Sequence, residues 1–367
     1  MRLTIVAGAR PNFLKIAPLI REIEKVRLQG VNISYRLVHT GQHYDENLSK
    51  VFFRDLQIPE PDANLEAGSG SHAVQTATIM TGFEQELINN PCDIVVVVGD
   101  VNSTLACSIV AKKLNIKVAH IEAGIRSFDM TMPEEINRMV TDSITDYFFT
   151  PTETANENLM KSGVHASTVY YVGNIMIDSL LHSRNMLRKP TFIAAHDIDP
   201  AKCVVLTLHR PSNVDDPEHL KMLLDTILKN TRDYHIIFPV HPRTKKSLDA
   251  IGINDSRLIV TEPMNYLSFN YLVRSCAVVV TDSGGVQEET TVMGVPCITL
   301  RNNTERPETV DIGTNELIGD DMNKLEVALT NALDGKWKQG AIPDLWDGKT
   351  AQRIVKALLQ ISSSFTE

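Results

Sequence analysis

The chain has 367 residues, 43% of them hydrophobic and 22% charged, with a formal net charge of −9. That length suits two domains of ordinary size, and that composition belongs to a chain that buries a large core, not to a disordered or fibrous one. The negative balance argues against a general nucleic-acid binder, which needs a basic face, and no apolar run approaches the ~18 residues of a membrane span. Met1 leads at once into RLTIVAGARP, too short an apolar stretch for a signal peptide, so a cytoplasmic protein is expected. Cys92, Cys107, Cys203, Cys276 and Cys297 show no C-x-x-C spacing and no His at metal-ligand distance; buried structural thiols are expected.

Along the chain, short β-branched runs alternate with turns and helical stretches. LTIVAG (3–8), SYRLVHT (34–40), DIVVVVGD (93–100), KVAHIEAG (117–124), YFFTPT (147–152) and TVYYVGN (168–174) form a first series. Continuous apolar runs such as Val95–Val98 suit strands buried on both faces of a parallel sheet, with helices as crossovers. A second series follows: KCVVLTLH (202–209), YHIIFPVH (234–241), RLIVTEP (257–263), CAVVVTDSGG (276–285) and VPCITL (295–300). Residues 181–203 between them are less regular and richer in Pro and charge, as a linker would be. Two doubly wound α/β domains are predicted. KTAQRIVKALLQISSS (349–364) reads as an amphipathic helix with Ile354, Val355, Leu358, Leu359 and Ile361 on its apolar face.

Ligands of open α/β sheets bind beyond the carboxyl ends of the strands. The first strand exits into GARPNFLKIAPL, where Pro11 opens a helix and Arg10 and Lys15 offer cations for an anion, Lys15 being equally readable as a solvated helix charge. No G-x-G-x-x-G or P-loop is present. Asp100 ends the run at 94–98 and Glu122 the next strand. Asp100 alone reads as a helix cap or turn residue, but two carboxylates on neighbouring strand ends are a candidate acid/base pair. The stretch VAHIEAGIRSFDMTMPEEINR (118–138) then adds Glu134 and Glu135 behind Pro133, a pair that also complements a helix dipole.

In the second series, His209 and Arg210 follow a strand directly, placed to assist a leaving phosphate. In TDSGGVQEE, Asp282 and Ser283 are expected to cap a helix. Gly284 and Gly285 leave backbone N–H groups open to a diphosphate, Glu289 lies further along for ribose hydroxyls, and Arg306 in TERPE adds a cation.

These segments, with TGQHYDE, GDVNSTLA, HIEAGIRS, MPEEINR and LHRPSN, resemble the non-hydrolysing UDP-N-acetylglucosamine 2-epimerase family, in the family's order and over nearly the whole chain. The resemblance implies a glycosyltransferase-B-type fold, two Rossmann-like domains with a cleft between them, the last helix packing back on the first domain. The domains are then expected over 1–178 with 350–367, and over 179–349. It implies C2 inversion of UDP-N-acetylglucosamine to UDP-N-acetylmannosamine through elimination of UDP to 2-acetamidoglucal and its re-addition.

Asp100, Glu122 and Glu134 are then the acid/base candidates and His209 assists the leaving group. Arg10, Lys15, Arg210, Ser283, Gly284, Gly285, Glu289 and Arg306 match substrate-binding positions, and Gln42 and His43 match a loop at which some members bind an activating second substrate molecule. Neither metal nor redox cofactor is implied; the partners are the UDP-sugar and a second copy of the chain, with no nucleic acid and no membrane.

The chain departs from the common family pattern at Asn12-Phe13 and at HRPSNVDD, placed by the resemblance near the sugar. A UDP-diacetamido-glucuronic acid 2-epimerase is the nearest rival, followed by a hydrolysing epimerase, a sugar transferase of the same fold and a non-catalytic nucleotide-sugar sensor.

Overall fold

The computed structural model describes residues 1–42, 53, 56–240 and 242–363. It divides into two compact units, Met1–His182 with Asp344–Glu367, and Ser183–Pro343. Among the described residues no helix is long and apolar enough to cross a membrane.

The first unit holds strands β1 (Arg2–Ala7), β2 (Ser34–His39), β3 (Ala63–Asn64), β4 (Ile94–Val98), β5 (Lys117–Ile121), β6 (Tyr147–Thr150) and β7 (Val169–Tyr171). They form a parallel sheet in the order β3-β2-β1-β4-β5-β6-β7. Helices α1 (Arg10–Leu28), α2 (His72–Asn89), α3 (Asn102–Lys113), α4 (Pro133–Ile144), α5 (Glu153–Lys161) and α6 (Ile175–Ser183) alternate with them. Val95, Val97 and Val118 pack with Ile79, Phe83 and Leu87 of α2 and with Cys107 and Val110 of α3. Each such side chain contributes on the order of 1.5–3 kcal/mol by leaving water.

In the second unit come α7 (Thr191–Ala195), β8 (Cys203–Thr207), α8 (Pro211–Val214), α9 (Pro217–Asn230), β9 (His235–Pro239), α10 (Pro242–Ile251), β10 (Leu258–Thr261), α11 (Tyr266–Ser275), β11 (Val278–Thr281), α12 (Gly284–Met293), β12 (Cys297–Thr299), α13 (Pro307–Asp311), β13 (Asn315–Leu317) and α14 (Met322–Leu333). Its parallel sheet runs β10-β9-β8-β11-β12-β13. Successive strand residues face opposite ways. Val204, Leu206, Val278 and Val280 therefore join Leu220, Leu224 and Leu329 in one core, while Cys203, Val205 and Val279 join Leu272 and Val273 in the other. Both faces are covered, which is why the strands read as unbroken apolar runs. Ile193 and Ile198, in the stretch expected to be a linker, belong to this second core.

The last helix, α15 (Thr350–Ser363), returns to the first unit and packs on α1. The Asp178 carboxylate of α6 accepts the N–H groups of Thr350 at 3.1 Å and Ala351 at 2.8 Å, capping it. Ahead of it, Trp346 is buried and donates to the Pro151 carbonyl at 3.2 Å. Gly173, at φ +90°, lies so close to Leu345 that a Cβ there would stand 2.1 Å from its carbonyl oxygen.

In each sheet the strand order reverses once, between β1 and β4 and between β8 and β11. Those are the switch points at which α/β sheets bind ligands.

Candidate active site

Beyond β1, the Gly8 and Ala9 amides donate to Asn12 Oδ1 at 3.1 and 2.9 Å, and Asn12 Nδ2 donates to the Val98 carbonyl at 3.1 Å. Asn12 thus ties the β1 exit to the β4 exit. Its polar atoms are spent on the backbone. One turn on, Lys15 Nζ donates to Glu122 Oε2 at 2.5 Å, both side chains being buried. Lys15 is therefore no solvated helix charge; burial leaves it with Glu122 as counter-ion.

Glu122 itself sits at φ +67°, an uncommon conformation for a non-glycine residue, costing on the order of 1 kcal/mol or more. Its Oε1 is buried with no hydrogen-bond partner. Gly99, at φ +70°, is pressed against this pair: a Cβ there would stand 3.2 Å from Lys15 Nζ and 3.8 Å from Glu122 Oε2.

Asp100 follows on the neighbouring strand end, as β4 and β5 pair in parallel from Ile94↔Lys117 to Val98↔Ile121. It caps no helix, since Val101 occupies the N-cap of α3. Instead its Oδ2 accepts from Arg138 Nε at 3.0 Å and Nη2 at 2.7 Å. Arg138 Nη1 also donates to Glu135 Oε2 at 2.6 Å, and Glu135 accepts the amides of Ser127 and Phe128 at 2.9 and 3.0 Å. Glu135 accordingly shapes the loop before α4, whereas Glu134, in the same first turn, is exposed.

The charged run 118–138 has a division of labour: Glu122 and Asp100 at the strand ends, Arg138 and Glu135 holding them and the loop in place. Behind it lies a group not singled out in the sequence. His120 is wholly buried, its Nε2 2.8 Å from the Gly99 carbonyl and its Nδ1 2.7 Å from Asp142 Oδ1. Burial alone would raise the Asp142 carboxyl, but His120 and Arg126 outweigh it and hold it below the usual range.

Gln42 is buried beside the β1 exit and accepts from Ser103 Oγ at 2.8 Å. His43 lies outside the described residues. Arg10 opens α1.

In the second unit, His209 leaves β8 with its Nδ1 2.6 Å from Asp282 Oδ1, its own side chain more than half exposed. Asp282, beyond β11, also accepts the backbone N–H groups of His209 and Arg210 at 3.0 and 2.9 Å and Asn213 Nδ2 at 3.0 Å. Burial raises this carboxyl, yet His209 and the amides bring it below its ordinary value. The expected cap is thereby corrected: Asp282 orients His209 and closes the 209–213 loop. Ser283 does hold the N-cap position of α12, but its side chain makes no capping bond. Asn213, read as near the sugar, is likewise spent on Asp282 and on the Leu300 carbonyl at 3.2 Å.

Gly284 lies against the Arg306–Glu305 pair: a Cβ there would come within 2.6 Å of Arg306 Nη1 and 2.7 Å of Glu305 Oε1 and would displace those side-chain ends. Gly285 follows in the same turn. Arg306 pairs with Glu288 at 2.7 Å and Glu305 at 2.5 Å. It is thus a cation held between two carboxylates. Glu289 is buried, and desolvation pushes it up to about 7 against the Tyr266 hydroxyl and the Asn270 amide, which favour its carboxylate. Asp100, Glu122, Lys15 and Arg138 are thus brought together in the first unit, and His209, Arg210, Ser283 and Asp282 in the second.

The family model described as UDP-N-acetylglucosamine 2-epimerase matches residues 26–359. The chain is 43% identical to a UDP-N-acetylglucosamine 2-epimerase of Methanocaldococcus jannaschii, over 98% of this chain and 99% of that one. It is 35% identical to a UDP-2,3-diacetamido-2,3-dideoxy-D-glucuronate 2-epimerase of Pseudomonas aeruginosa, over 98% and 100%. A crystal structure of the Methanocaldococcus jannaschii UDP-GlcNAc 2-epimerase in complex with UDP-GlcNAc and UDP superposes with a TM-score of 0.87 at 43% identity, covering 98% of this chain and 100% of that one. The predicted fold class, an α/β chain of two Rossmann-like units, agrees with this likeness and with the two parallel sheets. By its sequence and its fold, the chain belongs to the UDP-N-acetylglucosamine 2-epimerase family.

Proposed function

We propose that the protein interconverts UDP-N-acetylglucosamine and UDP-N-acetylmannosamine by elimination and re-addition of UDP. In the first half-reaction a base takes the C2 proton, the C1–O bond breaks, and UDP leaves with the bonding pair, giving 2-acetamidoglucal. In the second the C1–O bond forms again and an acid returns a proton to the opposite face of C2. The observation that carries this reading is the pair Asp100 and Glu122 on adjacent parallel strand ends, each held by its own cation, Arg138 and Lys15. Two positioned carboxylates suit proton removal and return at one carbon.

Glu134 completes the acid/base candidates. His209, oriented through Nδ1 by Asp282, is suited to assist departure of the diphosphate. The Ser283-Gly284-Gly285 turn offers amide donors for the phosphates, with Arg10 and Arg210 as cations and Glu289 for the ribose. Lys15 and Arg306 act through the carboxylates they hold. Gln42 and His43 belong to a loop for an activating second substrate molecule, for which the buried bond from Ser103 gives Gln42 a fixed place. A cytoplasmic homodimer supplying a cell-surface polysaccharide completes the reading.

Proton NMR of the protein with UDP-N-acetylglucosamine in deuterated water tests it. The expected result is the anomeric signal of UDP-N-acetylmannosamine with deuterium at C2 of both nucleotides. Accumulation of UDP and free sugar instead would mean a hydrolysing enzyme. No change would move the substrate to the diacetamido-glucuronate nucleotide, the substrate class named for the 35%-identical relative.

A further inference from the structure

Asp100 and Glu122 leave their strands through turns with left-handed backbone. Gly99, Glu122 and Gly124 all have φ near +70°, at +70°, +67° and +78°. Glycine adopts such a φ freely, whereas at Glu122 it persists only where the surroundings over-determine it. Behind both turns stands Asp142 of α4. Its Oδ2 accepts the Gly124 N–H at 3.1 Å and pairs with Arg126 Nη1 at 2.7 Å, fixing the turn that carries Glu122. Its Oδ1 meets His120 Nδ1 at 2.7 Å, and His120 Nε2 donates to the Gly99 carbonyl at 2.8 Å, fixing the residue before Asp100. One carboxylate therefore reaches both turns, one directly and the other across an imidazole.

A cluster of this kind is a poor way to gain stability, because well-packed apolar residues of the same volume serve as well or better. What apolar residues lack is direction: they give the Gly99 carbonyl no donor and the Gly124 amide no acceptor.

We propose that His120 and Asp142 are positioning residues of the epimerisation, and that the His120 Nε2 bond to Gly99 sets where Asp100 stands relative to Glu122. This rests on the reading of Asp100 and Glu122 as acid/base groups. Since both proton transfers need their carboxylates in place, the loss falls on turnover and on C2 exchange rather than on nucleotide binding, which uses the second unit.

Two substitutions separate the halves of the imidazole. In His120→Gln the amide nitrogen reaches the place of Nε2, keeping the donor to Gly99 and giving up Asp142. In His120→Asn the amide takes the place of Nδ1, keeping Asp142 and giving up Gly99. Each variant and the wild type are measured for kcat, KM, exchange of the C2 proton in deuterated water, and melting temperature. The expected result is a kcat and an exchange rate lowered about 100-fold in His120→Asn, the scale of a misplacement near 1 Å, with KM little changed and most activity kept by His120→Gln at a similar melting temperature. Equal loss in both variants, in step with melting, overturns the proposal, as does full turnover in His120→Asn. If His120→Asn does not fold, Asp142→Asn takes its place: loss of kcat with KM kept supports the proposal and unchanged kcat overturns it. A wild type that neither exchanges the C2 proton nor converts the nucleotide overturns the acid/base reading itself, and this proposal with it.

Discussion

Glu289→Gln is expected to make the second unit more stable than the wild type at alkaline pH and no more stable in acid. Burial raises the Glu289 carboxyl from 4.5 to about 7, so the folded chain keeps a proton that the unfolded chain has already lost across that window. Folding then takes up protons, and stability falls as pH rises from about 4.5 to about 7. The displacement corresponds to about 3 kcal/mol once pH exceeds both values. Glutamine keeps an oxygen to accept from Asn270, whose amide stands 3.3 Å from Glu289 Oε1, and removes the ionisation. The assay is urea unfolding of the full chain, wild type and variant, at pH near 4.5, 6 and 8. The difference between the two should open to about 3 kcal/mol at the alkaline end, or roughly 6–12 °C in melting for a unit of this size. Comparing the pair cancels the pH response of Glu308, which burial also pushes up to about 7. A difference that stays flat across the range would refute the reasoning.

Lys15→Met leaves the Glu122 carboxylate buried without its counter-ion and should cost about 3–5 kcal/mol; Lys15→Met with Glu122→Leu should recover much of it, and a single variant within about 1 kcal/mol of wild type by urea unfolding would contradict the pairing. Gly173→Ala strains a φ of +90° and drives a methyl into the Leu345 carbonyl, so amide exchange in α15 should accelerate at least tenfold, while unchanged protection would show that the return segment is not docked there.

The alternation of strand and helix was legible because the central strands are buried on both faces and keep largely apolar runs, unbroken in Ile94–Val98. The edge strands Ala63–Asn64 and Asn315–Leu317 were not, being too short to carry a pattern. Asp100 and Glu122 could be found because each ends an obvious strand. Their partners could not: Lys15 lies 107 positions from Glu122, and a cation at a helix start reads the same whether it waits for a phosphate or sits beside a carboxylate.

Asp282 looked like a cap because Asp before a Ser and two Gly usually is one, and the competing donors at 209–213 are remote in sequence. For His120 a signal was present: a histidine inside KVAHI, an otherwise apolar run, must find partners, and Asp142 one α4 away supplies the acceptor.

The return of the chain at Asp344 also sets an order of events during synthesis. Residues 183–343 form a unit whose strands and covering helices are contiguous, so it is complete as soon as it clears the ribosome. The first unit, begun earlier, must wait: the face of α1 stays open, and the Pro151 carbonyl and Asp178 carboxylate keep their water until Trp346, Thr350 and Ala351 arrive. The half of the molecule translated first is therefore the last to be finished.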